Sequence, residues 1–148
     1  MDKILALWAV PRSTSTAFER MMRERGDFSV HDEPFGLSFY YSEERHNTSR
    51  YPDIEPNSQY NFSCILENLK QEKEKQPVFI KDMSYQVIPV ANQEFLYHFE
   101  NTFLIRHPKK MLPSLFKNWP DLTLEETGYA EIDKLFETVK EMNGKVPI

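Results

Sequence analysis

Apolar residues recur along this chain in two rhythms, short unbroken runs and helical stripes, and their alternation is the first clue to the fold. Ile4 to Val10 is an apolar run closed by Pro11, as in a strand buried on both faces. Arg12 follows, then Ser13, Thr14, Ser15 and Thr16, and after them Ala17, Phe18, Met21 and Met22 at helical spacing. Hydroxyl residues ahead of an apolar stripe predict a loop turning into a helix N-terminus, where Ser and Thr cap free N–H groups. Gly26-Asp27 stops that helix. Phe28 to His31 predicts a second strand, ending in Asp32-Glu33-Pro34-Phe35, because Pro34 ends regular structure and biases Glu33 towards an extended conformation.

Residues 36–60 are aromatic, polar and proline-containing with weak periodicity, and read as a long loop of the kind that forms lids or binding loops. Phe62, Ile65, Leu66 and Leu69 fall at i, i+3, i+4 and i+7, predicting a helix over 61–72 whose charged end is Lys70 to Lys75. Pro77 to Ile80 is the next buried strand, followed by Lys81-Asp82-Met83. Phe95, Leu96 and Phe99 mark a short helix within 90–100, and Thr102 to Ile105 a strand before Arg106-His107-Pro108. Met111, Leu112, Leu115 and Phe116 give another helical face, with Pro113 tolerable only in its first turn. Thr123 with Glu126 fits a capping box, and Ile132, Leu135, Phe136, Val139 and Met142 mark a helix of about four turns. Asn143-Gly144 stops it, and Val146-Pro147-Ile148 reads as the start of a further strand. The order predicts an α/β fold, three layers with a parallel sheet and right-handed crossovers. One domain over 1–148 is expected, lacking its C-terminal part because it ends on an incipient strand.

Composition narrows the function. With 148 residues, 40% of them hydrophobic and 14% aromatic, a globular core is expected. A net charge of −5 argues against a general nucleic-acid or anionic-membrane binder, so any anion site must be local. Cys64 is the single cysteine, which excludes an internal disulfide and a Cys-based zinc site. No apolar run reaches transmembrane or signal-peptide form, making a cytoplasmic protein the default.

Strand, tight loop and helix start at residues 4–22 form the geometry that binds phosphate-like anions: backbone N–H groups and the helix dipole face the anion, and Arg12 and the hydroxyls add donors. It is not a Walker A loop, having neither the Gly nor the Lys of that motif. On pattern alone it is equally the first strand and capped helix of any α/β protein. Asp32 and Glu33 at a strand end are either an acid/base pair or a solvated turn. Lys81 is either surface punctuation or a residue facing the crevice at the carboxyl ends of the strands. His31 and His46 lack metal-ligand spacing, and no metal site is expected.

Several of these stretches together resemble one family. Pro11-Arg12-Ser13-Thr14-Ser15-Thr16 resembles the 5′-phosphosulfate loop of sulfotransferases that use 3′-phosphoadenosine-5′-phosphosulfate (PAPS). Leu104-Ile105-Arg106-His107-Pro108, with Ser114 eight residues beyond Arg106, resembles their 3′-phosphate motif. Glu33-Pro34 resembles the Glu-Pro after the second strand of carbohydrate-type members, and Phe79-Ile80-Lys81-Asp82 the strand ending in lysine near the sulfuryl group. The fit is closest to bacterial stand-alone sulfotransferase-like proteins, whose topology is similar to that of P-loop NTPases. Thr14 stands where many members have glycine, and Met83 where the cytosolic type has its catalytic histidine.

The resemblance implies a PAPS-dependent sulfotransferase that acts without a metal on a hydroxyl or amine of a small-molecule or carbohydrate acceptor. Glu33 would be the base, Lys81 would neutralise the bridging oxygen, and Arg12 would hold the phosphosulfate. Arg12, Ser13, Thr14, Ser15, Thr16, Arg106 and Ser114 would bind the nucleotide. Two other readings stay open: a P-loop kinase or NTPase, and a non-catalytic module whose exposed sheet edge favours homo-oligomers. No nucleic-acid or membrane partner is expected.

Overall fold

The computed structural model describes residues 3–144 and 146–148. Four strands form one parallel sheet: β1 (Ile4–Ala9), β2 (Ser29–Asp32), β3 (Val78–Met83) and β4 (Phe99–Leu104), in the order β2-β3-β1-β4. Seven helices accompany them among the described residues: α1 (Ser15–Arg25), α2 (Pro34–Tyr41), α3 (Phe62–Lys73), α4 (Ser84–Val87), α5 (Gln93–Tyr97), α6 (Pro108–Asn118) and α7 (Tyr129–Asn143). Every pairing is parallel, with Leu7 opposite both Lys81 and Thr102, and Asp32 opposite Lys81.

The alternation of a strand sends neighbouring side chains to opposite faces, and the core divides accordingly. Ile4, Ala6 and Trp8 of β1 and Val78 and Ile80 of β3 pack with Leu69 of α3, Leu96 of α5 and Leu135 and Val139 of α7. Leu7 and Phe79 face the other way, towards Met22 of α1. Helices on both faces of a parallel sheet make a three-layer α/β architecture. Trp8 is fully buried, its ring edge-on to Phe99 at 5.3 Å and its Nε1–H donating to Asn101 Oδ1 at 2.7 Å.

Several local expectations need correcting. The start of the 36–60 loop is helical: Pro34 occupies the first position of α2, where its fixed φ starts a helix instead of ending one. β3 runs on through Lys81, Asp82 and Met83, all buried, because Lys81 meets the Asp32 and Glu33 carboxylates and Asp82 accepts from Phe35 N–H. β4 begins at Phe99, so this aromatic residue belongs to the sheet. Pro113 lies in the interior of α6, which leaves the carbonyl of Lys109, an exposed residue, without its intrahelical donor. Glu126 does accept from the Thr123 backbone N–H at 2.9 Å, yet it serves the 3-10 turn Glu125–Thr127, and α7 begins beyond Gly128 at φ 74°. Residues 146–148 form no strand, although Phe103 N–H donates to the Ile148 carbonyl at 2.9 Å along the open edge of β4.

Candidate active site

All four strands deliver residues to one crevice at their carboxyl ends, where ligands bind in open parallel sheets. A cavity of about 330 Å³ lies there. Arg12, Thr14, Ser15 and Thr16 line it from the loop after β1, Glu33 after β2, Met83 and Tyr85 at the end of β3, and Arg106 after β4. The two ends of the crevice touch. Arg106 Nη1 donates to the Arg12 carbonyl at 3.0 Å, and Arg12 Nε donates to Ser114 Oγ at 3.0 Å. Neither guanidinium is paired with a carboxylate among the described residues. Tyr129 Oη donates to the Arg106 carbonyl and steadies that loop.

The loop after β1 departs from the expected cap. Thr14 sits at φ 75° and makes no side-chain cap to α1; its hydroxyl donates instead to the Ser13 carbonyl. A β-branched residue in the left-handed region is strained, whereas glycine adopts that geometry freely. Thr14→Gly is therefore expected to leave folding stability unchanged or raise it by up to about 1 kcal/mol, the left-handed strain offsetting the added freedom of the unfolded chain. Urea unfolding of the two proteins checks this, and a loss of stability would show that the Thr14 hydroxyl outweighs the strain. Ser13 is buried with its hydroxyl unpartnered among the described residues, and neither it nor Ser114 is part of the cavity wall.

Among the described residues Glu33 is the one carboxylate on the cavity wall. It stands at φ 52°, its N–H bonded to the Lys81 carbonyl at 2.6 Å. Its two oxygens are held separately: Lys81 Nζ lies 2.7 Å from Oε1, and Gln86 Nε2 donates to Oε2 at 3.0 Å. Gln86 has little room to turn. It is 2% exposed, its Oε1 accepts from Met83 N–H at 3.2 Å, and it packs on Gly36 so closely that a Cβ there would lie 3.1 Å from its Nε2. Lys81 is 1% exposed and does not line the cavity; strand register places it beside Asp32, 2.5 Å from Oδ1. Its ammonium thus faces the two carboxylates. Burial opposes that charge, but Glu33 and Asp32 outweigh it and hold Lys81 above the ordinary lysine value. The cavity's phenol is no rival base at neutral pH: burial raises Tyr85, and its hydroxyl partner Tyr40 is likewise pushed up to about 12.

Asp82 supports the same corner from behind. It is fully buried, its Oδ2 accepts from Phe35 N–H in the first turn of α2 at 2.9 Å, and its Oδ1 has no partner among the described residues. Burial pushes its carboxyl well above the usual carboxylate range, and the charge of Glu33 adds to this. An acid that binds its proton more tightly when folded contributes full stability below its unfolded value near 4, and that contribution falls as pH rises through the folded value. Asp82→Asn keeps an acceptor for Phe35 N–H and removes the titration, so it should gain on the parent between about pH 5 and about pH 8. Denaturant midpoints at the two pH values test it; a constant difference would mean that Asp82 does not titrate in this range.

The local pattern did not single out Gln86 or Tyr85, and it gave Asp82 no role of its own. The signal available was a polar residue embedded in a long buried run, Val78 to Val87. Nor did it single out Trp119, which lines the cavity from beyond α6.

A parallel α/β sheet with a cationic, hydroxyl-rich crevice at its carboxyl edge defines the class of domain that handles phosphate-like anions. Within that class the chain belongs to the sulfotransferase domain family, whose model matches residues 2–143. No curated protein and no solved structure matches it. Among the described residues no helix is long and apolar enough to cross a membrane, and no group of three or more His, Cys, Asp or Glu is placed to hold a metal ion.

Proposed function

We propose that the protein transfers the sulfuryl group of PAPS to a hydroxyl or amine of a small-molecule or carbohydrate acceptor. The observation that carries this reading is the bonded chain Arg106–Arg12–Ser114, because it joins two segments that resemble the 5′- and 3′-phosphate motifs at one crevice. A donor bearing several phosphate-like charges needs cations, and two guanidiniums without carboxylate partners among the described residues supply them. The residues fit such a donor: Ser15, Thr16 and Thr14 add hydroxyls and backbone at the start of α1, where the helix dipole favours an anion.

In the step itself the acceptor oxygen or nitrogen bonds to sulfur, and the bond from sulfur to the bridging phosphate oxygen breaks. The electron pair leaves with adenosine 3′,5′-bisphosphate, and Glu33 takes the acceptor proton. Lys81 and Gln86, one on each carboxylate oxygen, orient Glu33. Lys81 acts from the buried side, neutralising the negative corner that Asp32 and Glu33 create, and Arg12 bears the charge that develops on the leaving phosphate.

Calorimetry with adenosine 3′,5′-bisphosphate against ATP–Mg²⁺ tests the reading. Tighter binding of the bisphosphate is the expected result. Preference for ATP–Mg²⁺ would move the protein to nucleoside-triphosphate chemistry.

A further inference from the structure

Trp119 stands apart from the machinery just described. It lines the cavity, yet no step above uses it. Of the two tryptophans, Trp8 is 0% exposed in the core while Trp119 is 39% exposed. Its indole is not left loose at the crevice mouth. The Arg50 guanidinium lies over the ring, 5.1 Å from the centroid. Arg50 is itself fixed: its Nε and Nη2 donate to Glu126 Oε1 and Oε2 at 2.8 and 2.9 Å, and its Nη1 reaches Asp121 at 3.3 Å. Glu126 is buried and is held in turn by the Thr123 N–H. Arg50 does not line the cavity, whereas Trp119 does.

We propose that Trp119 is a stacking platform for a planar ring bound in this cavity, pre-set by the Arg50–Glu126 pair. A large flat surface held by a buried, two-pronged ion pair loses little freedom when a ring lies against it, and stacking on an aromatic tolerates any ring with a π-face. Pro11, Met83 and Tyr85 add further apolar surface to the wall, which favours the same chemistry. Two sources can supply the ring: the nucleobase of the donor, which rests on the reading above, or an aromatic acceptor.

The test uses the two indole N–H signals in a ¹⁵N correlation spectrum of the whole chain, with Trp119→Phe to assign them. Trp8 is anchored to Asn101 and serves as an internal reference. Adenosine 3′,5′-bisphosphate and p-cresol are added separately and together. Movement of the Trp119 signal with the bisphosphate alone assigns the platform to the nucleobase; movement only when p-cresol is added assigns it to the acceptor. Trp119→Ala should then weaken binding of the responding ligand about tenfold or more, while Trp119→Phe keeps most of the affinity. A Trp119 signal unmoved by either ligand at saturation overturns the proposal, as do equal losses in the Phe and Ala variants, which would mean that the residue merely fills space. Calorimetry on the same samples keeps the two readings apart. Bisphosphate that does not bind at all overturns the donor reading, and p-cresol alone then decides Trp119.

Discussion

Glu33→Gln is expected to lower sulfuryl transfer by about two to four orders of magnitude, the range over which a positioned general base acts, while adenosine 3′,5′-bisphosphate still binds. The amide is nearly isosteric and leaves Arg12, Arg106 and the loop hydroxyls untouched. It cannot accept a proton at neutral pH. It also presents an N–H₂ to one of its two neighbours, Lys81 Nζ or Gln86 Nε2, each of which is a donor. The orientation that kept the carboxylate aimed at the cavity is therefore lost together with its basicity. Turnover and calorimetry on the same preparation separate the outcomes: unchanged turnover removes Glu33 from the mechanism, and a joint loss of turnover and nucleotide binding makes it a structural residue of the crevice.

Arg106→Ala should weaken adenosine 3′,5′-bisphosphate binding about ten- to a hundredfold, the worth of a charge-assisted hydrogen bond of about 1.5–3 kcal/mol, with a much smaller effect on AMP. The difference arises because only the bisphosphate carries a 3′-phosphate for this guanidinium. Truncation also frees the Arg12 carbonyl, which now accepts from Arg106 at 3.0 Å, so a small general loss for both nucleotides is built in. Equal losses for AMP and the bisphosphate would reduce Arg106 to that bracing role.

Much of the architecture could be read from apolar spacing. The unbroken run of β1, the stripe Phe62-Ile65-Leu66-Leu69 of α3 and that of α7 each encode one element with one buried face or two, and the structure places each close to where the spacing put it. Elements whose identity depends on a partner distant in sequence were harder. α2 carries apolar or aromatic residues on most sides, so the i, i+4 pair Phe35 and Phe39 does not stand out from Leu37, Tyr40 and Tyr41, and Pro34 gives the same local signal at a helix start as at a stop. The last half of β3 looks polar because Lys81 and Asp82 find their partners only in Asp32, Glu33 and the start of α2, a fact of register and not of local pattern. In the crevice, Arg12 and Arg106 are legible as motif residues 94 positions apart, and their meeting follows from β1 and β4 being neighbours. Gln86 and Trp119 were illegible for a different reason: what marks them is a packed neighbour, Gly36 in one case and Arg50 in the other, and neither neighbour leaves a trace in spacing.

Arg12, Thr14 and Glu33 are the non-glycine residues with positive φ among those described, at 58°, 75° and 52°, and all three line the same cavity. Conformations of this kind cost about 1–3 kcal/mol apiece and last only while their surroundings enforce them. The crevice is thus expected to yield to heat before the sheet beneath it, whose strands are held by buried apolar clusters on both faces. On warming, ligand capture should fail before helical ellipticity does, and a saturating bisphosphate should bring the two transitions together.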